Sequence, residues 1–391
     1  MLEKSTSNDG WNRRAFLKAS AGAVCALWLA GILGCTREQN SVGTSPLQTA
    51  QKGFVRSAPS PWFSKLDNTK VRCELCPKRC ELEEGERAPC RVRTNRDGVM
   101  YTLAYDNPTL ILEDPVERVP FYHVIPGTRT LSVATAGCNL QCKFCEAWDM
   151  TQVTPEEVHA HDMPPETVVA HAVKANVQSI SYAYGEPVIF YEYMAVIAAL
   201  AKEERLLNLL HTAGYIQIEP LIELTGKLDA VNVDLKSFDP TFYKEVVGGE
   251  LDPVLRTLKI LRDAGVHIEI TNIIIPTLND DMKKITQMCE WIVNELGSNV
   301  PIHFVRFYPL YKLSDLPRTP VSTLDKARNI ALDEGLKFVY ISRITGHEGE
   351  NTFCPGCGKI LVKRVGFVID EINLENGKCK YCGTDIPGIW A

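Results

Sequence analysis

The chain has no excess of positive charge. Its 391 residues carry 42 Lys and Arg against 48 Asp and Glu, a formal net charge of −6, which argues against a broadly basic nucleic-acid binder. It has no apolar run long enough to span a bilayer. The stretch from Ala19 to Gly34 is 16 residues, short of the ~20 a transmembrane helix needs. None of its eight histidines falls in metal-ligand spacing, so none is assigned a ligand role. Residues 36–61 lack any periodic apolar pattern and are rich in Ser, Thr, Gln and Pro, which reads as a flexible tether over 36–65. The rest is ordinary: 45% hydrophobic and 23% charged residues exclude a disordered or fibrous chain. The exception is cysteine, of which there are fourteen. A chain this long buries enough core to need no disulfide scaffold, so their grouping carries the information.

Cys25 and Cys35 lie near the N-terminus, Cys73, Cys76, Cys80 and Cys90 follow, then Cys138, Cys142 and Cys145, a lone Cys289, and finally Cys354, Cys357, Cys379 and Cys382. Pairs two or three residues apart aim thiolates at one metal rather than at each other. Cys289 sits in a helical pattern and reads as a buried small hydrophobe.

The first 35 residues have the parts of an export leader: a charged start, a short apolar run and small residues. Arg13 and Arg14 with Phe16, Leu17 and Lys18 resemble a twin-arginine signal, and Ile32-Leu33-Gly34-Cys35 resembles a lipoprotein cleavage site. This points to the cell envelope or periplasm of a bacterium, with Cys35 as a lipid anchor. The cytoplasm is the alternative, because low-potential electrons are supplied there.

From about Thr128 the sequence alternates short apolar runs with helical patterns. Strands are expected over 130–137, 179–184, 207–212, 229–235, 266–275 and 302–308, with helices over 165–175, 190–204, 219–227, 252–264, 282–295 and 323–334. Such βα repeats make a parallel sheet with right-handed crossovers: an α/β protein built on a partial TIM-like (β/α)6 barrel, with chemistry at the strand C-termini. The expected divisions are a leader (1–35), a linker (36–65), a Cys-rich cap (66–127), the barrel (128–345) and a C-terminal module (346–391).

Candidate site residues fall at those strand ends. Cys138, Cys142 and Cys145 directly follow the first strand. Three thiolates hold three irons of a four-iron cube and leave the fourth open to a small molecule, whereas an electron-transfer cluster takes a fourth cysteine. A three-cysteine zinc site completed by another residue is the other arrangement. Tyr184-Gly185-Glu186-Pro187 ends the second strand, where the glycine permits close backbone approach and the carboxylate can pair with an ammonium. Asp234 and Lys236 end the fourth strand. Thr271, Asn272 and Arg306 are further candidates for the cavity, undecided by strand period.

At the C-terminus, Cys354-x2-Cys357 and Cys379-x2-Cys382 are each followed by glycine and flank a β-hairpin pattern. This is a zinc-ribbon or rubredoxin-like module holding zinc, or a single iron. Cys73, Cys76, Cys80 and Cys90 supply four ligands within 18 residues. Structural zinc and an auxiliary iron–sulfur cluster both fit that spacing.

The combination of CELCPKRC, CNLQCKFCE, YGEPVIFYEY, DAVNVDLKSF with FYKEVVGG, and the closing NTFCPGCG…GKCKYCGTDIPGIW resembles the radical S-adenosylmethionine (SAM) enzyme of the AmmeMemoRadiSam system, a group similar to pyruvate formate-lyase activating enzymes. The resemblance implies a [4Fe-4S] cluster on Cys138, Cys142 and Cys145 that cleaves SAM reductively to a 5′-deoxyadenosyl radical. It implies contacts to SAM from the Tyr184–Pro187 motif and from Asp234 and Lys236, and hydrogen abstraction from a protein or small molecule, glycyl-radical-enzyme activation being one form. It also implies an electron donor of the flavodoxin or ferredoxin type. Its companions are a Memo-like protein and an AMME-syndrome-candidate-like protein, and a glycyl radical enzyme is a further candidate partner. The chain departs from the pattern at Ala213, where Asn-Gly-Tyr is commoner, and at Tyr308, where His is common. The competing function is a non-catalytic iron–sulfur or zinc protein for electron transfer or docking.

Overall fold

The computed structural model describes residues 49–390. The leader, Cys25, Cys35 and the first part of the expected tether lie outside the described residues. Among the described residues, no helix is long and apolar enough to cross a membrane.

The centre is one eight-stranded sheet with helices on its outer face. In chain order its elements are β1 (Leu110–Pro115), β2 (Arg129–Ala134), α1 (Pro165–Lys174), β3 (Ser179–Tyr182), α2 (Tyr191–Glu203), β4 (Leu207–Thr212), α3 (Ile218–Thr225), β5 (Ala230–Asp234), α4 (Leu251–Asp263), β6 (His267–Ile274), α5 (Met282–Glu295), β7 (Ile302–Arg306), α6 (Val321–Asp333) and β8 (Val339–Ser342). Spatial order follows chain order. β2 to β8 are parallel, and β1 lies antiparallel against β2. Six strand–helix units lead to a seventh parallel strand, and no pairing among the described residues joins β8 back to β1.

Burial explains the strand compositions. β3 is buried at all four positions, as is β8, because a parallel sheet is covered on both faces and its strands need no polar side. The helices bury one stripe each. On α4, Val254, Leu258 and Leu261 are buried at intervals of four and three, and each such side chain is worth ~1.5–3 kcal/mol when fully buried. Cys289 on α5 is fully buried, as expected of a small hydrophobe.

Two expected boundaries are corrected. Residues 51–65 are ordered rather than a tether: Gln51–Lys52 pairs with His159–Ala160, Ala58–Pro59 with Tyr101 and Thr102, and Phe63–Lys65 with Val71–Cys73. Trp62 is the apolar anchor, buried at 4% exposure. The cap ends before residue 110, because β1 completes the barrel sheet through a six-residue antiparallel ladder with β2. The seventh parallel strand, β8, lies inside the expected barrel (128–345), beyond the six strands placed from the sequence. Its four residues follow α6 too closely to show a period of their own.

The C-terminal module is stapled to the sheet by buried polar groups. Its hairpin pairs β9 (Ile360–Val365) with β10 (Val368–Ile372), as the sequence predicts. Arg364 on β9 is buried and donates to Thr352 Oγ1 (2.8 Å) and to the Tyr122 carbonyl (2.8 Å), with its guanidinium 4.2 Å from the Tyr122 ring. His123 contacts the Pro387 carbonyl (2.6 Å) and the Tyr340 hydroxyl of β8 (2.7 Å). Fully buried Glu269 on β6 accepts from the backbone N–H groups of Tyr122 and His123 and contacts His303 Nε2 at 2.6 Å.

Candidate functional site

A cleft of about 920 Å³ lies at the C-terminal ends of the parallel strands. Side chains alternate across a strand, so every second residue faces it: His211 on β4, Asp234 on β5, Thr271 and Ile273 on β6, Val305 on β7 and Ser342 on β8. Cys138, Cys142 and Cys145 line it from the loop after β2, with Tyr184, Gly185, Glu186 and Lys236. The structure thus gathers the sequence-predicted residues into one cavity, with stated exceptions. Pro187 is buried and opens the turn Pro187–Phe190 without lining the cleft. Asn272 donates to the Leu235 carbonyl at 2.7 Å, and Arg306 donates to the Thr319 carbonyl at 2.8 Å.

The three-cysteine loop is clamped from two sides. The backbone N–H groups of Gln141 and Lys143 donate to the carbonyls of Val247 and Val246 (2.9 Å each). These belong to the π-helical turn Tyr243–Val247, the FYKEVVGG segment whose purpose the sequence alone does not disclose. Its closing glycines make the approach possible: a Cβ on Gly249 would stand 2.7 Å from Leu140 Cδ2. On the other side, Gly137 has φ +94°, and a Cβ there would stand 2.6 Å from the Cys90 carbonyl oxygen. The Leu140 N–H donates to Cys138 Sγ (3.3 Å), and Cys145 Sγ contacts Thr151 Oγ1 (3.2 Å). Burial raises all three thiols, Cys142 to about 11, so metal loading must displace protons.

Glu186 is buried and held rigidly. Its Oε1 accepts from Val188 N (3.1 Å) and Thr212 Oγ1 (2.6 Å), and its Oε2 from Ala213 N (2.9 Å). Each carboxylate oxygen has two acceptor sites, so Oε2 retains one. Burial raises its carboxyl above the ordinary range, and the three donors and Lys236 oppose that rise. Tyr184 adopts φ +66° and donates its hydroxyl to Asp114 at 2.8 Å.

Asp234 joins two partners: Lys236 Nζ donates to Oδ2 (2.8 Å) and His211 Nε2 contacts Oδ1 (2.9 Å). Burial opposes its ionisation, but Lys236 and His211 outweigh that and hold the carboxyl well below its usual range. Lys236 is raised for the reciprocal reason: burial disfavours its charge, and Asp234 and Cys142 favour it more. Sequence reasoning missed His211, whose signal is its position three residues before Gly214 at the end of a buried strand. It also missed Arg343, which pairs with Glu146 at the rim (2.7 Å between Nη2 and Oε2). The turn Val365-Gly366-Phe367 of the C-terminal hairpin closes one wall of the same cleft.

The two four-cysteine sets differ. Cys354, Cys357, Cys379 and Cys382 bring their sulfurs within 4.8 Å of one another. Cys354–Cys382 is 3.5 Å and Cys357–Cys379 is 3.8 Å, matching the ~3.8 Å edge of a tetrahedron with 2.3 Å metal–sulfur bonds. Gly358 and Gly383 both have positive φ, +71° and +75°, as knuckle turns require. The Thr384 hydroxyl and backbone hold the Cys382 thiol down at about 6. Cys73, Cys76, Cys80 and Cys90 surround one small cavity in the cap. Among the described residues they form no such single-ion group.

The sequence profile of the Radical SAM superfamily matches residues 132–289, from β2 into α5. An uncharacterised protein of Methanocaldococcus jannaschii is 43% identical over 327 residues, covering 83% of this chain and 97% of that relative. The pyruvate formate-lyase-activating enzyme of Clostridium pasteurianum is 27% identical over 223 residues, 54% of this chain and 91% of that enzyme. A crystal structure of a radical SAM methyltransferase from Sphaerobacter thermophilus covers 81% of each chain at 15% identity, with a TM-score of 0.45.

Proposed function

We propose that this chain, which belongs to the radical SAM superfamily and is related to glycyl-radical activases, is a radical SAM enzyme whose cluster is held by Cys138, Cys142 and Cys145. The observation that carries this reading is the convergence of three thiols, a buried carboxylate and the Asp234–Lys236 ion pair on one cleft at the strand C-termini. The residues fit the cofactors. Three thiols leave one iron of a four-iron cluster open, Glu186 Oε2 keeps an acceptor site for an ammonium, and Thr271 Oγ1, also lining the cleft, has no partner. A reduced cluster held there would supply one electron to the sulfonium of bound SAM, whose carbon–sulfur bond would break to leave methionine and a 5′-deoxyadenosyl radical able to take a hydrogen atom from substrate.

The chain's own residues orient and exclude. Val188, Thr212 and Ala213 fix the Glu186 carboxylate so that it meets the amino group of SAM without reorganising. Asp234 holds Lys236 charged beside Cys142, which favours the thiolate. Leu140, Phe144, Ala183 and Ile273 line the cleft and restrict water. The substrate enters under Phe367 and Arg343, and a glycine on a partner protein is the candidate hydrogen source. An electron donor of the flavodoxin or ferredoxin type and the Memo-like and AMME-syndrome-candidate-like companions belong to the same proposal. So does export by a twin-arginine leader, which cell fractionation tests.

The binding step is tested on protein reconstituted with iron and sulfide under anaerobic conditions. SAM is expected to change the electron-spin signal of the reduced cluster. Glu186→Gln is expected to weaken that binding by ten-fold or more, with the iron content unchanged. A signal indifferent to SAM in the fully loaded protein would refute the reading.

A further inference from the structure

The cap thiols raise a question that their spacing leaves open. Cys73, Cys76, Cys80 and Cys90 line one cavity of about 20 Å³ with Arg93 and Asn139. The same chain shows what its single-ion site looks like: the C-terminal sulfurs draw together to 3.5 and 3.8 Å. The cap sulfurs do not. They stand apart around a shared space, as ligands of a multi-iron core must, since each binds a different iron.

One buried donor on a residue lining this space has no partner. Arg93 is 1% exposed. Its Nη1 and Nη2 bind both oxygens of Glu192 (2.6 and 2.7 Å), but its Nε hydrogen has no partner. Leaving such a donor unmatched costs ~1–3 kcal/mol. Thiolates of a single ion also accept N–H bonds, as Cys379 Sγ does from Tyr381 N at 3.4 Å, so the nuclearity rests on the spread of the cap sulfurs. A cluster carries inorganic sulfides as well, and N–H donors to its sulfurs tune its potential.

The cap is also locked to the barrel site. Asn139 lines the cap cavity while its chain neighbour Cys138 lines the cleft, and two adjacent residues span at most ~7 Å. Gly137, on the other side of Cys138, packs on the Cys90 carbonyl. The residues flanking Cys138 are therefore both held by the cap.

We infer that Cys73, Cys76, Cys80 and Cys90 ligate a second, fully coordinated four-iron cluster, with Arg93 Nε as hydrogen-bond donor to it, placed to store one electron beside the barrel site. In one-electron chemistry the core goes from the 2+ to the 1+ state with an electron from a donor protein of the flavodoxin or ferredoxin class. It returns to 2+ when that electron passes on to the site at Cys138. Only this last transfer rests on the radical SAM reading; the cluster itself does not.

The test uses the full chain with Cys138, Cys142 and Cys145 all replaced by Ala, reconstituted anaerobically with iron and sulfide. Beyond the single ion of the C-terminal module, about four irons and four sulfides per chain are expected, with an electron-spin signal on reduction that SAM does not alter. Adding Cys73→Ser and Cys76→Ser should abolish both. Arg93→Lys should keep the iron and shift the midpoint potential. One zinc per chain in the cap with no sulfide, or a cap without metal, would overturn the inference. If the triple variant keeps its iron while the unmodified protein ignores SAM, the cap cluster stands and the radical SAM reading falls. The reverse pattern separates them the other way.

Discussion

The cap and the C-terminal module each present four cysteines, yet the chain embeds them differently. The C-terminal set is half at the surface, with Cys357 and Cys382 exposed, and its sulfurs sit at single-ion distances. Its knuckle pair belongs to a module joined to the barrel by Arg364, Tyr122 and His123, which reaches the cleft only through the hairpin turn Val365-Gly366-Phe367. The cap set is sunk against that loop, with Cys90 under Gly137 and Asn139 in the cavity wall. Equal ligand counts thus serve unequal ends. A small surface module gains its fold from a metal, while the cap shares its packing with the reactive centre.

The largest effect expected from breaking this contrast is at the cap seam. Gly137→Ala puts a Cβ 2.6 Å from a carbonyl oxygen at φ +94°, a strain on the order of 3 kcal/mol. Iron bound at Cys138, Cys142 and Cys145 should fall several-fold while metal in the C-terminal module stays, as metal analysis of the reconstituted protein would show. A variant with full iron at all sites would mean that the cap does not brace the loop. The ribbon seam should respond in the opposite sense. Arg364→Ala strands the Tyr122 carbonyl in the interior and leaves the Thr352 hydroxyl with Tyr340, at a cost of about 1–3 kcal/mol. Thermal denaturation should drop by several degrees with barrel iron retained.

The division of labour was only partly legible in the sequence. Cysteine spacing and the positions of Glu186, Asp234 and Lys236 are local patterns, readable because metal ligation and strand ends leave short signatures. The alternation of β2 to β7 with their helices is readable because burial imposes a period. Other features depend on contacts between distant segments. His211 meets Asp234 only through the register of β4 on β5, and Gly137 meets Cys90 only when the cap folds down. Residues 51–65 looked like a tether because short strands bury little, and only Val55, Trp62 and Phe63 mark their apolar packing. The FYKEVVGG segment stood out as a motif, but its task, accepting the N–H groups of Gln141 and Lys143, appears only in three dimensions.

The smallest effect is electrostatic and belongs to the ribbon seam alone. Burial lowers His123 to about 3 from 6.5, with Glu269 opposing the shift. A group depressed in the folded state contributes stability above its unfolded value, and that contribution is lost as pH falls from about 6.5 towards 3. The hydrogen-exchange protection factor at Ile389, whose N–H donates to the His123 carbonyl at 2.8 Å, should therefore fall between pH 6.5 and 4. Cap amides such as Cys73 should not follow the same curve. Identical acid sensitivity in both regions would dissolve the contrast.

The central claim is that Cys138, Cys142 and Cys145 support SAM chemistry. Its most direct test is product analysis after incubating the anaerobically reconstituted full chain with SAM and a strong one-electron reductant. The account predicts 5′-deoxyadenosine and methionine in equal amounts, abolished by Cys142→Ala. A protein carrying its full complement of iron at these cysteines that forms neither product would contradict it.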